Sequence, residues 1–508
     1  MARRFLLLSS FLILSVLVAF AAPRKKPAAA AEKKAAAPAV TPQPAAAPPP
    51  GSSIMQFDQF GPVPVFRPAG EPSQVVILLS GDQGIGERET AMAASLAGAG
   101  ALVFAFDVPR YVETATRNKA RCLFPATEIH QLGQNGQARS NLASYHPPLL
   151  VGVGSGGTFA FATLAQAAPG TWAGAVSLGY CPILAIRKRL CPATGLRLDD
   201  DWPGPGFRLL PDRELVEPWI VLDPPPMPEC PAASAPDIVA AMPTASRVPL
   251  PAGLSPEAAQ SAWKTQLPQA VADIARHQKE AEAARQARLG EIADLPLLEV
   301  PATAPEVDAF AVDLTGSGGY EGLDVDLGRA LAAQGVPLVA LSSLEYFWVN
   351  RDPAGMSRDL GRILDHYLQA WHKKKAILVG YSQGADIIPF MVNRLPAAQR
   401  SRIAAIGLIG PDAKAELDMG LAGFMTNRTA APPLPVAPEI ARLTGFKVVC
   451  VYGKREKYSI CPSLDPKLGV DLFTVGGGHA FQGDAPAMVE RLLRAGGLPV
   501  REPVPAPP

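Results

Sequence analysis

The sequence has almost no net charge, and this limits the partners that it can bind. Its 508 residues carry a formal net charge of +1 at pH 7, and only 18% of them are charged. Nucleic-acid binding depends on an excess of positive charge that neutralises phosphates. We therefore expect no nucleic-acid partner.

Histidine and cysteine are also scarce, with 6 of each in the chain. No C-x-x-C pair or His-rich cluster accompanies them, so the sequence predicts no metal site and implies no cofactor. Cysteines that lie close in sequence are disulfide candidates in an exported protein, which points to Cys450 with Cys461 and Cys181 with Cys191. Cys122 and Cys230 remain, and sequence alone does not determine the connectivity.

Long apolar runs are missing except at the N-terminus. There, Arg3 and Arg4 precede an apolar run from Phe5 to Phe20, and Ala19-Phe20-Ala21 resembles a cleavage site. Residues 1–21 are therefore predicted to be a secretory signal peptide. An uncleaved anchor is the alternative, although the run is shorter than the roughly 20 residues that a spanning helix needs.

Two parts of the chain resemble each other. The segments that start at Gln74 and Asp308 each read as apolar strand, Gly-rich turn, amphipathic helix and second strand, and LLVGVGSGG later matches ILVGYSQGA. Short apolar strands that alternate with helical patterns predict parallel βαβ units. The sequence therefore predicts two tandem α/β domains that arose by internal duplication.

The chain divides accordingly into six predicted segments. They are a signal peptide (1–21), a disordered Pro/Ala-rich tether (22–51), a first α/β domain (52–245), a helical connector (246–306), a second α/β domain (307–500) and a Pro-rich tail (501–508). The connector is alternatively a late helix of the first domain. Strands of the second domain are predicted near Ala309–Leu314, Val336–Leu341, Ala376–Val379, Ile403–Ile409, Lys447–Tyr452 and Asp471–Val475.

A candidate nucleophile lies in the second domain. The residues from Gly380 to Gly384 read G-x-S-x-G directly after a predicted strand and before a helix, which is the context of a nucleophile elbow with Ser382 at its tip. The simpler interpretation is a tight turn with a solvent-facing serine. His479 follows the last strand, where the α/β-hydrolase order of nucleophile, acid and histidine would place the base.

The acid of the predicted triad has several candidates. Glu456 lies on the loop after the strand that usually carries it, Asp412 lies one strand earlier, and Asp465 is a third possibility. Each is otherwise a solvated loop carboxylate.

Two further roles follow from the elbow. The backbone amide of Gln383 and an amide of Ser317 or Gly318, in the Gly-rich turn after an early strand, are the predicted oxyanion hole. Asp386, on the first turn of the helix after Ser382, is a candidate ligand for a substrate ammonium group. Stabilisation of the helix N-terminus is its alternative role.

The first copy lacks these groups. Aligned without gaps, Gly154 falls on Ser382, and Ser155 is displaced by one position. No histidine follows in the segment that corresponds to the one holding His479. The first domain is therefore predicted to keep the fold without the triad, with Ser155 as a less favoured independent nucleophile.

At SSLEYFWVNRDPAGMSRDL and LVGYSQGADIIPFMVNRLP the chain resembles the VirJ/AcvB family of exported bacterial proteins. The resemblance implies two α/β-hydrolase-like domains, the first lacking the triad, and a periplasmic location with a link to virulence and type IV secretion. AcvB-type members are linked to hydrolysis of lysyl-phosphatidylglycerol. By this resemblance Ser382 and His479 match the family's serine and late histidine, whereas the loop KREKYS is more basic than the family pattern and keeps only Glu456 as a carboxylate.

These observations predict a periplasmic serine hydrolase whose substrate is a membrane phospholipid, aminoacylated phosphatidylglycerol. A non-catalytic protein that supports type IV secretion by binding periplasmic partners is the alternative. An esterase or peptidase with another substrate would share the triad and differ only in its pocket.

Overall fold

The computed structural model of the chain describes residues 51–193, 195–223, 230, 235–417, 432–481 and 483–501. All of these residues belong to one compact unit. The predicted signal peptide lies outside the described residues, as do the tether up to residue 50 and the tail from residue 502. Within the described ranges, no helix is both long and apolar enough to cross a membrane.

The first domain is built on a mostly parallel sheet. Its strands are β1 (Ser52–Phe57), β2 (Gly61–Phe66), β3 (Gln74–Leu79), β4 (Ala101–Phe106), β5 (Leu149–Val153), β6 (Gly174–Leu178), β10 (Trp219–Leu222) and β11 (Ala245–Val248). Their spatial order is β1-β2-β4-β3-β5-β6-β10-β11. A small antiparallel sheet lies beside it, formed by β7 (Ile183–Leu184), β8 (Leu198–Asp199) and β9 (Phe207–Leu209).

The second domain repeats this sheet. Its strands are β12 (Leu297–Val300), β13 (Ala309–Leu314), β14 (Leu338–Leu341), β15 (Lys375–Tyr381), β16 (Ile403–Ile409), β19 (Val448–Gly453) and β20 (Asp471–Val475). Their order is β12-β14-β13-β15-β16-β19-β20. A separate short pair is formed by β17 (Lys414–Ala415) and β18 (Leu434–Pro435). The run β4-β3-β5-β6-β10-β11 thus has the same order as β14-β13-β15-β16-β19-β20, which is the expected result of a duplication.

Helices lie between the strands in both domains. The first has α1 (Glu87–Gly98), α2 (Val108–Arg117), α3 (Pro125–Arg139), α4 (Ser155–Gln166) and α5 (Ala235–Ala240). Between the domains run α6 (Pro256–Ser261) and α7 (Trp263–Leu289). The second has α8 (Leu323–Ala333), α9 (Ser343–Tyr346), α10 (Pro353–Ala370), α11 (Gln383–Val392), α12 (Ala397–Arg400), α13 (Ala437–Ala441) and α14 (Ala485–Ala495).

The central strands are mostly apolar because helices cover both faces of the sheet. On β15, Ala376 and Leu378 pack in the core that contains α10 and α11, whereas Ile377 and Val379 pack in the core that contains α8 and α14. Successive side chains of a strand point to opposite faces, so an uninterrupted apolar run is needed to fill both cores. The fold is therefore the α/β class that the sequence predicts, in two domains.

Helix α7 is shared between the two domains. Near its N-terminus, Trp263, Leu267 and Ile274 pack on the first sheet. At its C-terminus, Leu289 packs in the core of the second domain. The first sheet continues to Val248 and the second begins at Leu297, both inside the segment predicted as a connector. The first half of α7 therefore has the role of a late helix of the first domain, which was the alternative interpretation.

The disulfides differ in part from the prediction. Cys450 pairs with Cys461, as predicted. The predicted Cys181–Cys191 pair is wrong, since the bonds are Cys122–Cys191 and Cys181–Cys230. The reason is a backbone pairing in which Leu123 and Leu190 form an isolated parallel bridge. This bridge brings Cys122 beside Cys191, with their Cα atoms 4.9 Å apart.

Candidate active site

Ser382 lies at a sharp turn between strand and helix. β15 ends at Tyr381 and α11 begins at Gln383, and Ser382 between them has φ 53° and ψ −118°. A residue other than glycine rarely adopts positive φ, and such strain costs about 1–3 kcal/mol. The Ser382 amide donates to the carbonyl of Ile409 at 2.9 Å, which ties the turn to the neighbouring strand β16. The strained turn presents the hydroxyl at the carboxyl edge of the sheet.

The two flanking glycines are required by close packing. A Cβ atom on Gly384 would lie 1.8 Å from the carbonyl oxygen of Leu314, and one on Gly380 would lie 2.5 Å from the carbonyl carbon of Gly384. No side chain fits at either position without moving backbone. The G-x-S-x-G pattern is therefore a consequence of how closely α11 approaches β13 and β15.

His479 lies beside Ser382. Its Nε2 is 3.0 Å from the Ser382 Oγ, which is hydrogen-bond distance. Its Nδ1 is 2.5 Å from Oε1 of Glu456. The second carboxylate oxygen of Glu456 accepts a hydrogen bond from the Gly453 amide at 2.9 Å. The three side chains that the sequence ranked as nucleophile, base and acid thus form one hydrogen-bonded chain.

The other two acid candidates make different contacts. The Asp412 backbone amide donates to Oδ1 of Asp386 at 2.6 Å, and its carboxylate accepts from the adjacent Ala413 amide. Asp465 accepts from the Lys467 amide and begins a short 3-10 helix. Of the three candidates, Glu456 is the one that the structure brings to His479.

The environment of Glu456 and His479 is asymmetric. The Glu456 side chain is 3% exposed, whereas that of His479 is 47% exposed. Burial of the carboxylate against a single imidazole favours a strong charge-assisted hydrogen bond when the ring is protonated. The other edge of the imidazole is therefore open to solvent.

Two residues that position His479 escaped the sequence analysis. The Tyr381 ring stacks on the imidazole with centroids 5.2 Å apart, and its hydroxyl donates to the His479 carbonyl at 3.0 Å. Gly410 has φ +61°, and a Cβ there would lie 2.9 Å from Cε1 of His479 and 3.0 Å from Oε1 of Glu456. In the sequence, Gly410 is recognisable only as a glycine that follows a strand, in LIGPD. No local pattern links it to His479.

The predicted oxyanion hole lies at the same edge. Gln383 is the first residue of α11, so its amide has no partner inside the helix. Thr315, which begins the turn, accepts from the Ser343 amide at 2.9 Å through Oγ1, and the Ser343 hydroxyl donates to its carbonyl at 2.6 Å. The described hydrogen bonds of the turn use the amides of Gly316 and Gly319 and not those of Ser317 or Gly318. Their role as oxyanion donors stays a prediction.

Asp386 is buried and only 7% exposed. The pKa of its carboxyl is raised to about 8, chiefly by burial and in smaller part by the nearby carboxylates of Asp412 and Glu416, against the lowering effect of the Asp412 amide. The structure thus links Asp386 to the loop after β16. Its contact with a substrate ammonium group stays a prediction.

The first domain has the same turn, with Gly154 in the place of Ser382. Gly154 has φ 59° and ψ −122°, which closely matches the backbone of Ser382. Gly152 and Gly156 reproduce the close packing, because a Cβ on them would lie 2.0 Å and 2.3 Å from backbone oxygens. Ser155, the alternative nucleophile, is instead the first residue of α4. The elbow is retained and its hydroxyl is absent.

A comparison with protein families identifies the second domain. Residues 308–497 match the family described as "Bacterial virulence protein (VirJ)". The matched range includes Ser382, Glu456 and His479. It confirms, for this part of the chain, the resemblance that the sequence indicates.

Comparisons with whole proteins add little to this. No curated protein matches the chain. Among solved structures, Est1E from Butyrivibrio proteoclasticus is 14% identical with a TM-score of 0.31, covering 40% of this chain and 95% of that one. An alpha-beta serine hydrolase homologue from Coxiella burnetii is 16% identical with a TM-score of 0.27, covering 39% and 89%. TM-scores this low do not support an assignment of the fold. The fold class rests on the strand order described above.

Proposed function

We propose that the second domain is a serine hydrolase that cleaves carboxylic esters through an acyl-enzyme. The observation that carries this proposal is the hydrogen-bonded chain from Ser382 through His479 to Glu456, with distances of 3.0 Å and 2.5 Å. A serine hydroxyl is a weak nucleophile unless an adjacent base removes its proton. Here the base is within reach, and a buried carboxylate orients it.

The reaction has two halves. In the first, Ser382 Oγ attacks the ester carbonyl while its proton passes to Nε2 of His479, and Glu456 stabilises the imidazolium. The negative oxygen of the tetrahedral intermediate accepts from the Gln383 amide and from an amide of the turn at Ser317 or Gly318. Collapse expels the alcohol, which takes the proton from Nε2. In the second half, water deprotonated by His479 attacks the acyl-enzyme and releases the acid.

We further propose that the ester joins an amino acid to the glycerol headgroup of phosphatidylglycerol, as in lysyl-phosphatidylglycerol. The VirJ-type domain supports this choice, as does the exposed edge of His479, which leaves room for a headgroup at the membrane surface. Asp412 and Glu416 place carboxylates near Asp386 at the elbow and would attract a cationic amino acid, and an ammonium group bound beside Asp386 would favour its ionised form. The loop that carries Glu456 also holds Lys454, Arg455 and Lys457, which suit a phosphate.

The proposed location is the periplasm. Three disulfides fit an exported protein, because such bonds persist in oxidising compartments. In that compartment the substrate would be presented by the surface of a membrane.

The test is release of free amino acid from vesicles that contain lysyl-phosphatidylglycerol. We expect release by the wild-type protein, none by Ser382→Ala, and wild-type release by Ser155→Ala, which removes the hydroxyl next to the first-domain elbow. Hydrolysis of a simple p-nitrophenyl ester without lipid hydrolysis would keep the hydrolase and overturn the substrate. Equal turnover by wild type and Ser382→Ala would overturn the hydrolase.

The alternative is a non-catalytic protein that supports type IV secretion through its partners. It predicts no labelling of wild type by a fluorophosphonate and capture of secretion components by wild type and Ser382→Ala alike. Labelling of wild type at Ser382 that is lost in Ser382→Ala would rule against it.

A further inference from the structure

The first domain contacts the second at the predicted oxyanion turn. Helix α3 of the first domain carries Gln134, whose side-chain Nε2 donates to the Gly318 carbonyl at 3.4 Å. Two helical turns earlier on α3, the Thr127 hydroxyl donates to Oε2 of Glu321 at 3.3 Å. Both partners lie between β13 and α8, in the segment that contains the turn. The domain without a nucleophile therefore bonds to the loop that is expected to stabilise the transition state.

Gln134 is itself held in place. It is 6% exposed, and its Nε2 lies 3.1 Å from Nδ1 of His130, which is 3% exposed. The His130 Nε2 lies 2.6 Å from the hydroxyl of Tyr145. An amide nitrogen has two hydrogens, so Gln134 donates to both His130 and Gly318 when Nδ1 is the unprotonated nitrogen. The result is a chain of side chains that runs from the interior of the first domain to the turn.

A buried tryptophan anchors the same contact. Trp348 of the second domain packs with Ala138 of α3 and with Leu344, and it is 5% exposed. Its indole N–H donates to the carbonyl of Leu142 in the first domain at 2.9 Å. Buried aromatic anchors with a satisfied N–H are the groups that hold interfaces most firmly.

The anchor and the turn are joined by one short helix. Helix α9 begins with Ser343, which makes two hydrogen bonds to Thr315 at the start of the turn. The next residue, Leu344, packs against the first domain. Movement of α3 therefore acts on the turn at two places, Thr315 and Gly318.

The turn needs such external support because of its composition. Gly316, Gly318 and Gly319 make up most of it, and Gly319 has φ +87°. Glycine has the widest choice of backbone conformations, so a glycine-rich turn is not rigid by itself. Holding the Gly318 carbonyl restricts rotation about Gly318, whose amide is one of the predicted oxyanion donors.

We infer that the first domain is a positioning element for the second: α3, through Gln134, fixes the oxyanion turn in the conformation that catalysis needs. This inference rests on the proposed function. It gives the first domain a task that requires its fold and its docking surface but not a nucleophile.

Gln134→Met tests this, because methionine has a similar length and lacks the amide. We expect kcat for a p-nitrophenyl ester to fall about 10-fold with KM nearly unchanged, since the loss falls on a transition-state contact. The control is Thr158→Val, which removes a side-chain hydrogen bond to the Cys181 carbonyl inside the first domain, away from the interface. It should lower stability without changing kcat.

Hydrogen exchange separates this inference from the proposed function. Peptides that cover residues 315–321 should exchange faster in Gln134→Met than in wild type and not in Thr158→Val, whether or not the protein hydrolyses esters. Unchanged exchange and unchanged kcat in Gln134→Met would overturn the inference even if Ser382→Ala is inactive. If wild type has no activity, the exchange result alone decides whether α3 orders the turn.

Discussion

Ser382 and Gly154 have nearly the same backbone conformation, at the same point of two related sheets. Their φ and ψ angles are 53° and −118° for Ser382 and 59° and −122° for Gly154. In the second domain a serine is forced into a conformation that suits glycine. In the first domain glycine occupies it without strain. The shape of the elbow therefore belongs to the fold, and only the hydroxyl and its partners differ between the copies.

Restoring the hydroxyl in the first domain should not restore a nucleophile. The protein with Gly154→Ser has room for the side chain, because no atom lies within 4 Å of a Cβ at that position. We expect it to fold with a stability loss of about 1–2 kcal/mol from the positive φ. In a Ser382→Ala background the introduced serine should remain unlabelled by a fluorophosphonate, since no histidine of the described residues comes within 4 Å of its Cβ. Labelling there would show that the elbow alone activates serine.

The close approach of His479 and Glu456 to Gly410 predicts a strong effect of one added methyl group on activity. In Gly410→Ala the new Cβ would meet His479 at 2.9 Å and Glu456 at 3.0 Å. Since the pair must move apart, we expect kcat/KM to fall by about 100-fold or more, as misplaced catalytic groups usually cause. The control is Gly445→Ala, where φ is +84° and no atom lies within 4 Å. It carries the same backbone strain and should keep full activity, which a comparison of melting temperature and kcat/KM checks.

Replacing the acid tests its assignment. Glu456→Gln keeps the size of the side chain but removes the charge that stabilises the imidazolium, so we expect kcat to fall by about 100- to 10,000-fold. Asp412→Asn leaves the contacts of His479 intact and should reduce kcat by less than about 10-fold. The reverse ranking of the two variants in single-turnover assays would move the acid to Asp412.

The buried pair of Asp313 and Asp324 predicts a dependence of stability on pH. Both carboxyls are at most 1% exposed, and they lie within hydrogen-bond reach of each other, so a proton held by one can be shared with the other. Burial raises the pKa of Asp313 to about 8, and burial together with the neighbouring Asp313 raises that of Asp324 well above its usual value. The hydroxyl oxygens of Ser80 and Thr315 each accept a hydrogen bond from a backbone amide of the following βα unit, so the two residues are equivalent. Two residues before them, the first domain has Leu78 where the second has Asp313.

The direction in which stability changes with pH follows from proton binding. A carboxyl whose pKa is raised by folding binds more protons in the native state than in the unfolded chain, so stability falls as pH rises from about 4 to about 8. One such proton changes the free energy of unfolding by at most about 1.4 kcal/mol per pH unit. We expect Asp313→Leu to flatten this fall in stability, measured by urea titrations between pH 5 and pH 8. The control is Asp326→Asn, at an exposed position of α8, the helix that carries Asp324, and it should leave the fall unchanged. A wild-type curve that rises over this range would contradict the assignment.

Local sequence patterns predicted the individual strands and the turn at Ser382. The predicted strand Ala309–Leu314 is observed with the same ends, because an apolar run bounded by turn residues defines a buried strand. The order of Ser382, Glu456 and His479 followed from the hydrolase topology, and the structure brings these side chains into contact. Their catalytic roles stay predictions.

Contacts between distant segments could not be read from the sequence. Cys122 meets Cys191, 69 residues away, because of a backbone bridge between their neighbours, which spacing does not reveal. Gln134 meets Gly318 across 184 residues and between two domains. Both depend on how complete elements dock, and docking is decided by the combined packing of many side chains.

The shared helix α7 affects how the two copies can evolve. It has 27 residues and would be about 40 Å long at 1.5 Å per residue, with one end in each core. A duplicated domain can be deleted without harm only if the remaining copy does not depend on it for packing. Here deletion would expose Trp263, Leu267 and Ile274 on a helix that the surviving copy still needs at Leu289. The helix thus makes the first copy costly to discard, because one continuous element belongs to both cores.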